Sequence, residues 1–128
     1  MTHTLTVDIP RDYWLTMNRT VTNHGYRRRI ISALHDLTVA TAVRQGLKAH
    51  DGPVELTWTI HYPKGVGPVA DAVNAAPTTK ALLDALVPRW LPRDDSRCVR
   101  GETFRRGTNL DVAGGHRVVL ELRPVREA

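Results

Sequence analysis

The stretch VELTWTIHY, residues 54–62, decides the fold class of this chain. Its even-numbered residues are all apolar, and the odd-numbered residues between them are polar. Because successive side chains of a β-strand point to opposite faces of a sheet, this alternation predicts a strand with one face in the core. The other face is expected to be exposed or to line a site. A His-Asp-Gly-Pro turn precedes the stretch and a loop rich in Gly and Pro follows it, which bounds the strand on both sides.

The segments on either side of this strand predict a single α+β domain over residues 1–128. Strands are expected at 4–9, 97–105 and 116–123, and helices at 27–48 and from Pro77 or Thr78 to Val87. Residues 107–115 are predicted to form a long hairpin loop between the last two strands. The order β-α-β-α-β-β is typical of two main helices layered on a four-stranded mixed or antiparallel sheet. Apolar spacing predicts two buried helix stripes: Ile30, Ile31, Leu34, Leu37, Ala40, Val43 and Leu47 in the first, and Leu82, Leu83, Leu86 and Val87 in the second.

Composition and charge restrict the class of protein. With 128 residues, 41% of them hydrophobic and 24% charged, the chain suits one packed core and does not resemble a disordered chain. A single cysteine, Cys98, excludes an internal disulfide. No apolar run is long enough to span a membrane and the first residues lack the features of a secretion signal, so we expect a cytoplasmic protein.

The net charge of +5 favours a polyanionic partner. Fifteen Arg and only three Lys carry the positive charge. A guanidinium suits bidentate phosphate contact better than an ammonium does, although a GC-rich genome would produce the same bias.

Three aspartates fall at the ends of predicted elements. Asp71 lies in the loop before the second helix, and Asp94 and Asp95 lie in the loop after it. Carboxylates are the ligands that Mg²⁺ prefers, and a bound Mg²⁺ can activate water and stabilise charge on a phosphate. Lys80, between them in the chain, could neutralise developing phosphate charge. A structural interpretation stays open, because Asp-Asp-Ser is a common turn signal and Lys80 with Asp84 is an ordinary i,i+4 helix pair.

The stretch DAVNAAPTTKALLDALVPRWLPRDDS, residues 71–96, resembles the signature of RusA-type Holliday junction resolvases, which are endonucleases common in phages and prophages. The matching residues are Asp71, Asn74, Lys80, Ala81, Leu82, Asp84, Ala85, Leu86, Asp94 and Asp95. The opening of the chain is similar too, with Ile9-Pro10 at the end of a strand and then Met17-Asn18-Arg19 before a basic helix. The resemblance implies a RusA-like fold, paired nicking of four-way and other branched DNA junctions in recombination and repair, and a homodimer.

The resemblance also assigns roles to individual residues. Asp71 and Asp95 correspond to Mg²⁺ ligands, with Mn²⁺ as a substitute ion, Lys80 corresponds to the catalytic lysine, and Asp94 is an auxiliary ligand. The family's second acidic residue falls on Val73, which can neither ligate a metal nor accept a proton. Two functions therefore stay open on the resemblance: an active endonuclease, or a catalytically impaired protein that binds DNA junctions.

DNA contacts are expected from polar and basic residues near the motif. Asn74, Lys64, Arg93 and Arg97 are the residues predicted to bind DNA, with Arg27-Arg28-Arg29, Arg89, Arg100 and Arg105-Arg106 as further basic candidates for phosphate contact. For each single Arg, a solvated surface charge is the alternative. A third function, a basic domain that binds RNA or protein, also stays open.

Overall fold

The computed structural model describes residues 1–18 and 22–125 and has an α+β fold. Its strands are β1 His3–Ile9, β2 Val54–His61, β3 Val99–Arg106 and β4 His116–Pro124, and its helices are α1 His24–Gln45 and α2 Ala76–Leu86. Two short 3-10 turns lie at Arg11–Tyr13 and Ala72–Ala75. The predicted element order is confirmed, and of the motif that resembles the family's opening, Arg19 lies outside the described residues.

The four strands form one mixed sheet in the order β1-β4-β2-β3. Strand β4 is antiparallel to both of its neighbours, whereas β3 is parallel to β2. Helix α2 makes the crossover between these two parallel strands, as a parallel connection requires. Among the described residues, no helix is long and apolar enough to cross a membrane.

The predicted hairpin between the last two strands is wrong. Strand β2 lies between β3 and β4, so residues 107–115 cross the end of β2 instead of turning back beside β3. The backbone nitrogens of Gly107 and Leu110 donate to the carbonyls of Ile60 and Tyr62, which fixes this crossing loop against β2. A Cβ on Gly107 would lie 2.3 Å from Cε1 of His61, so only glycine lets the loop approach this closely.

The core lies between the two helices and one face of the sheet. The alternating face of β2 is buried as predicted, with Trp58 and Ile60 fully inaccessible. Helix α2 also buries its predicted leucines, and Cys98 is a free, buried thiol.

Helix α1 differs from its predicted stripe. It buries Ile30, Leu34, Thr38, Thr41 and Ala42, while Ile31, Ala40 and Val43 are exposed. The hydroxyl of Thr38 donates to the Leu34 carbonyl at 2.7 Å, which satisfies its polar group inside the core.

The ends of α1 are set by its caps. The Asn23 side chain accepts a hydrogen bond from the Tyr26 nitrogen, so the helix begins earlier than predicted. It ends at Gly46, which adopts the left-handed conformation typical of a C-terminal cap.

Candidate functional site

Asp71 lies at the start of the 3-10 turn Ala72–Ala75, at the end of the loop that follows β2. Its backbone carbonyl accepts hydrogen bonds from the Tyr62 hydroxyl at 2.8 Å and from the Asn74 nitrogen at 3.2 Å. Its carboxylate is exposed and makes no hydrogen bond or ion pair with a described residue. Two positions later, Val73 is 49% exposed. The turn therefore presents one free carboxylate to solvent, with an apolar side chain beside it.

Tyr62 and Arg106 hold the backbone around Asp71. The Arg106 guanidinium lies over the Tyr62 ring at 4.8 Å and donates to the carbonyls of Gly67 and Ala70 at 2.8 and 2.9 Å. Burial raises the pKa of the Tyr62 phenol, so its hydroxyl stays protonated and donates to Asp71. Arg106 was a candidate for phosphate contact in the sequence, but these bonds make it a positioning residue. The sequence contains no signal that separates it from Arg105.

Tyr62 also belongs to an aromatic cluster with Trp14 and His116. The rings of Trp14 and His116 are stacked, with centroids 3.7 Å apart, and Tyr62 packs edge-on against both. This cluster connects the end of β2 with the start of β4. It was not expected from the sequence, because its three members are distant in the chain and none belongs to a recognisable motif.

Lys80 contacts two carboxylates on the exposed side of α2. Its Nζ donates to Oδ1 of Asp84 at 2.8 Å and to Oδ2 of Asp94 at 3.0 Å. Hydrogen bonds to these carboxylates raise the pKa of Lys80, and the bond from Lys80 lowers the pKa of Asp94. Within this Lys80 cluster of Lys80, Asp84 and Asp94, the shifts of Lys80 and Asp94 favour the charged form of both groups. The Asp84 contact is the i,i+4 pair expected from the sequence, whereas the Asp94 contact unites the helix with the loop that follows it.

Asp95 forms the turn that leads into β3. Its carbonyl accepts from the nitrogens of Cys98 and Val99, and its carboxylate accepts from the backbone nitrogen of Arg97. The Arg97 guanidinium also donates to this carboxylate, with Nη2 2.6 Å from Oδ2. These bonds lower the pKa of Asp95 and raise that of Arg97. The structural interpretation of Asp-Asp-Ser as a turn is thus confirmed, and because this turn occupies the residues before Val99, β3 begins two residues later than predicted.

Asp71 and Asp95 are anchored near opposite ends of the parallel pair β2–β3. Tyr62, which holds Asp71, follows the last residue of β2. The nitrogen of Cys98 donates to the Asp95 carbonyl, and its carbonyl accepts from the nitrogen of Val54, the first residue of β2. No contact between described residues joins the two carboxylates, and their shared role at a metal stays a prediction.

The fit to a metal ion can be judged from the acidic groups. Residues 1–18 and 22–125 contain no group of three or more His, Cys, Asp or Glu side chains that could hold a metal ion. Asp94 and Asp95 are each paired with a basic side chain, so of the three aspartates in the motif only Asp71 has a carboxylate without a partner among the described residues. Mg²⁺ commonly keeps several waters and takes one or two protein carboxylates plus substrate phosphates. Asp71 fits that mode of binding.

The residues predicted to bind DNA differ in what they already contact. Lys64 is exposed, and its side chain has no partner among the described residues. Arg93 is exposed near Asp95, where its charge lowers the pKa of that carboxyl, while Arg97 is engaged by the same carboxylate. Asn74 is half-buried, and its carbonyl accepts from the Met17 nitrogen, which ties the turn to the segment after β1.

Comparison with protein-family models and with curated proteins gives no match for this chain.

Proposed function

We propose that this protein is a RusA-like, Mg²⁺-dependent endonuclease that nicks four-way and other branched DNA. The observation that carries the proposal is the contact between Lys80 Nζ and Asp94 Oδ2. It joins helix α2 to the acidic loop, the segment 93–96 that carries Asp94 and Asp95, within the motif that resembles the resolvases. Lys80 and Asp94 are both exposed, as are Arg93 and Arg97, so a DNA backbone has access to them.

The residues of the site have distinct tasks in this proposal. Asp71 would hold Mg²⁺ together with water and a substrate phosphate. The resemblance gives Asp95 and Asp94 as further ligands, and these two would reach the ion only after the loop that carries them moves toward Asp71. The bound ion supplies activated water and charge stabilisation at the phosphate. Lys80 keeps its proton because two carboxylates raise its pKa, so it acts as a fixed positive charge toward the phosphate and not as a base.

DNA would change the ion pairs of the acidic loop. Arg97 and Asp95 form an exposed pair, and such pairs are weak because water and salt screen them. A DNA phosphate competes with the Asp95 carboxylate for the Arg97 guanidinium. Arg97 would then bind DNA, and Asp95 would be released to accept a metal ion. In this proposal the enzyme acts in the cytoplasm as a homodimer, since a four-way junction has approximate two-fold symmetry and requires two nicks.

A second function, junction binding without cleavage, is favoured by Val73. This residue is exposed on the same turn as Asp71, at the place where the resemblance implies a second carboxylate. Without that carboxylate the ion has one ligand fewer. A small misplacement of reacting groups lowers a rate by about 100-fold. Lys64, Arg93 and Arg97 would still bind phosphates.

Cleavage of a labelled synthetic four-way junction, with and without Mg²⁺ or Mn²⁺, tests the proposal. We expect symmetric, metal-dependent nicking that Asp71→Asn abolishes and the matched surface control Asp36→Asn preserves. Junction binding without nicking in either metal would contradict the endonuclease and leave the binding protein. Equal affinity for junction, duplex and single strand at moderate salt would contradict both functions.

Replacement of Val73 separates the two functions further. We expect Val73→Asp to raise metal-dependent nicking, because it adds a carboxylate two residues from Asp71 on an exposed turn that tolerates charge. Val73→Asn, which has the same size but no charge, is the control. If the folded Val73→Asp protein cleaves no faster than wild type, residue 73 does not act at the metal.

A further inference from the structure

A cavity of about 710 Å³ opens between the end of β1, the start of β4 and the crossing loop 107–115. None of Asp71, Lys80, Asp94 and Asp95 lines it. One part of its wall is apolar, formed by Ile9, Pro10, Leu110 and Val112, and the polar part includes His61 and His116. Small-molecule sites typically have this volume and this mixture of an apolar wall with a few polar groups.

His61 presents a hydrogen-bond acceptor in this cavity. Its Nδ1 lies 2.7 Å from the carbonyl oxygen of Thr108, and since a carbonyl only accepts, Nδ1 carries the proton. In the neutral ring, Nε2 is therefore a bare acceptor, and it has no partner among the described residues. Close packing of Gly107 on the ring holds it in place.

His116 presents a donor on the other side of the cavity. The residue is only 9% exposed, and its buried Nδ1 has no hydrogen-bond partner in residues 1–18 and 22–125. Burial lowers its pKa to about 4, so the ring is neutral at pH 7. A buried N–H without a partner is rarer than a buried acceptor without one, so the proton belongs on Nε2. Stacking on Trp14 fixes the plane of the ring.

The charges at the cavity disfavour a phosphate. Asp8 and Arg117 are paired with each other at 2.7 Å, so their opposite charges cancel. Asp111 is then the one charged lining residue with no partner in the described part of the chain. Besides the Thr108 hydroxyl, which can donate or accept, the lining side chains offer two acceptors, His61 Nε2 and the Asp111 carboxylate, and one donor, His116 Nε2.

We propose that this cavity binds a nucleobase that carries an exocyclic amino group, stacked against the apolar wall. Adenine, cytosine and guanine each offer amino protons for His61 and Asp111 and an acceptor for His116. Thymine and uracil joined to a sugar have a single N–H, so one acceptor of the cavity would face a carbonyl oxygen. The base comes either from an unpaired nucleotide of branched DNA or from a free nucleoside. The DNA source rests on the proposed function, whereas binding of the base does not.

Histidine ring signals of the full chain, followed by NMR, test the cavity directly. Titration with adenosine or cytidine should shift the His61 and His116 signals, with a dissociation constant of about 1 mM for so small a ligand. Thymidine should bind at least about fivefold more weakly.

Asp111→Asn, a change on an exposed loop, should reduce this preference, and His61→Phe should weaken adenosine binding. His35→Phe, on the exposed side of α1, is the matched control and should change nothing. Absence of shifts with all nucleosides would overturn the proposal.

A four-way junction with an unpaired 2-aminopurine at the branch point identifies the source of the base. If DNA supplies it, the protein should protect 2-aminopurine from acrylamide quenching, and Asp111→Asn should reduce that protection. If nucleosides bind but the DNA base stays accessible, the cavity is a site for free nucleosides and the DNA source is wrong. If the junction is bound and nucleosides are not, the cavity proposal fails while the proposed function stands.

Discussion

The Lys80 cluster and the aromatic cluster of Trp14, Tyr62 and His116 are held together by opposite means. In the Lys80 cluster the side chains are 41% to 62% exposed, and its two ion pairs join groups that water and salt also bind. In the aromatic cluster, ring packing, burial and one hydrogen bond, from the Tyr62 hydroxyl to the Asp71 carbonyl, fix the side chains. The comparison teaches that an exposed ionic cluster is suited to exchange partners with a phosphate, whereas the buried cluster sets where Asp71 lies.

Acidification should have the largest effect on stability, through the aromatic cluster. Burial lowers the pKa of His116 to about 4 in the folded protein, whereas the same histidine has a pKa near 6.5 in the unfolded chain. Between these values the unfolded state binds more protons, so the free energy of unfolding falls as the pH falls from 6.5 and this loss levels off below about 4. The loss amounts to about 3 kcal/mol. Urea unfolding across this range should show it in wild type and not in His116→Phe.

A smaller pH effect should remain in the His116→Phe variant. Burial, followed by the charge of nearby His3, lowers the pKa of His50, so it destabilises the fold in the same direction on acidification. The free energy of unfolding of His116→Phe should therefore still fall somewhat below pH 6.5. An unchanged pH dependence in that variant would mean that His116 does not carry the effect.

Removal of the Arg106 side chain tests whether Arg106 holds the backbone around Asp71. Arg106→Ala loses three hydrogen bonds and the contact with the Tyr62 ring. We expect the free energy of unfolding to fall by about 2 kcal/mol. The neighbouring Arg105→Ala, on the exposed side of the same strand, should change it by less than about 0.5 kcal/mol. Equal effects of the two variants in urea unfolding would contradict the positioning role.

Loss of the Lys80 charge should have the smallest effect on stability. Lys80→Gln removes two exposed ion pairs, which together contribute less than about 1 kcal/mol to the free energy of unfolding. Under the proposed function, the same variant should weaken junction binding and lower the slope of log affinity against log salt by about one. A large loss of stability with an unchanged salt slope would assign Lys80 to the fold instead of the ligand.

Prediction from the sequence succeeded where one local period dominates. The alternation in β2 and the spacing of leucines in α2 correctly identified buried residues, because each depends only on the geometry of its own element. The prediction failed on α1, where Thr38 and Thr41 are buried and Ile31 is exposed. A threonine that bonds its hydroxyl to the preceding turn can enter a core, and side-chain hydrophobicity alone does not reveal that.

Local patterns in the sequence by themselves determined the order of strands and helices, the basic charge and the exposed pair of Lys80 with Asp84. Only the tertiary structure decided that β2 separates β3 from β4, that Asp94 reaches Lys80, and that His61 and His116 line one cavity. The physical reason is the distance along the chain over which each interaction acts. Side-chain periodicity and helix pairing act over three or four residues, whereas strand order and these contacts depend on how loops such as 107–115 pack against residues far away in the chain.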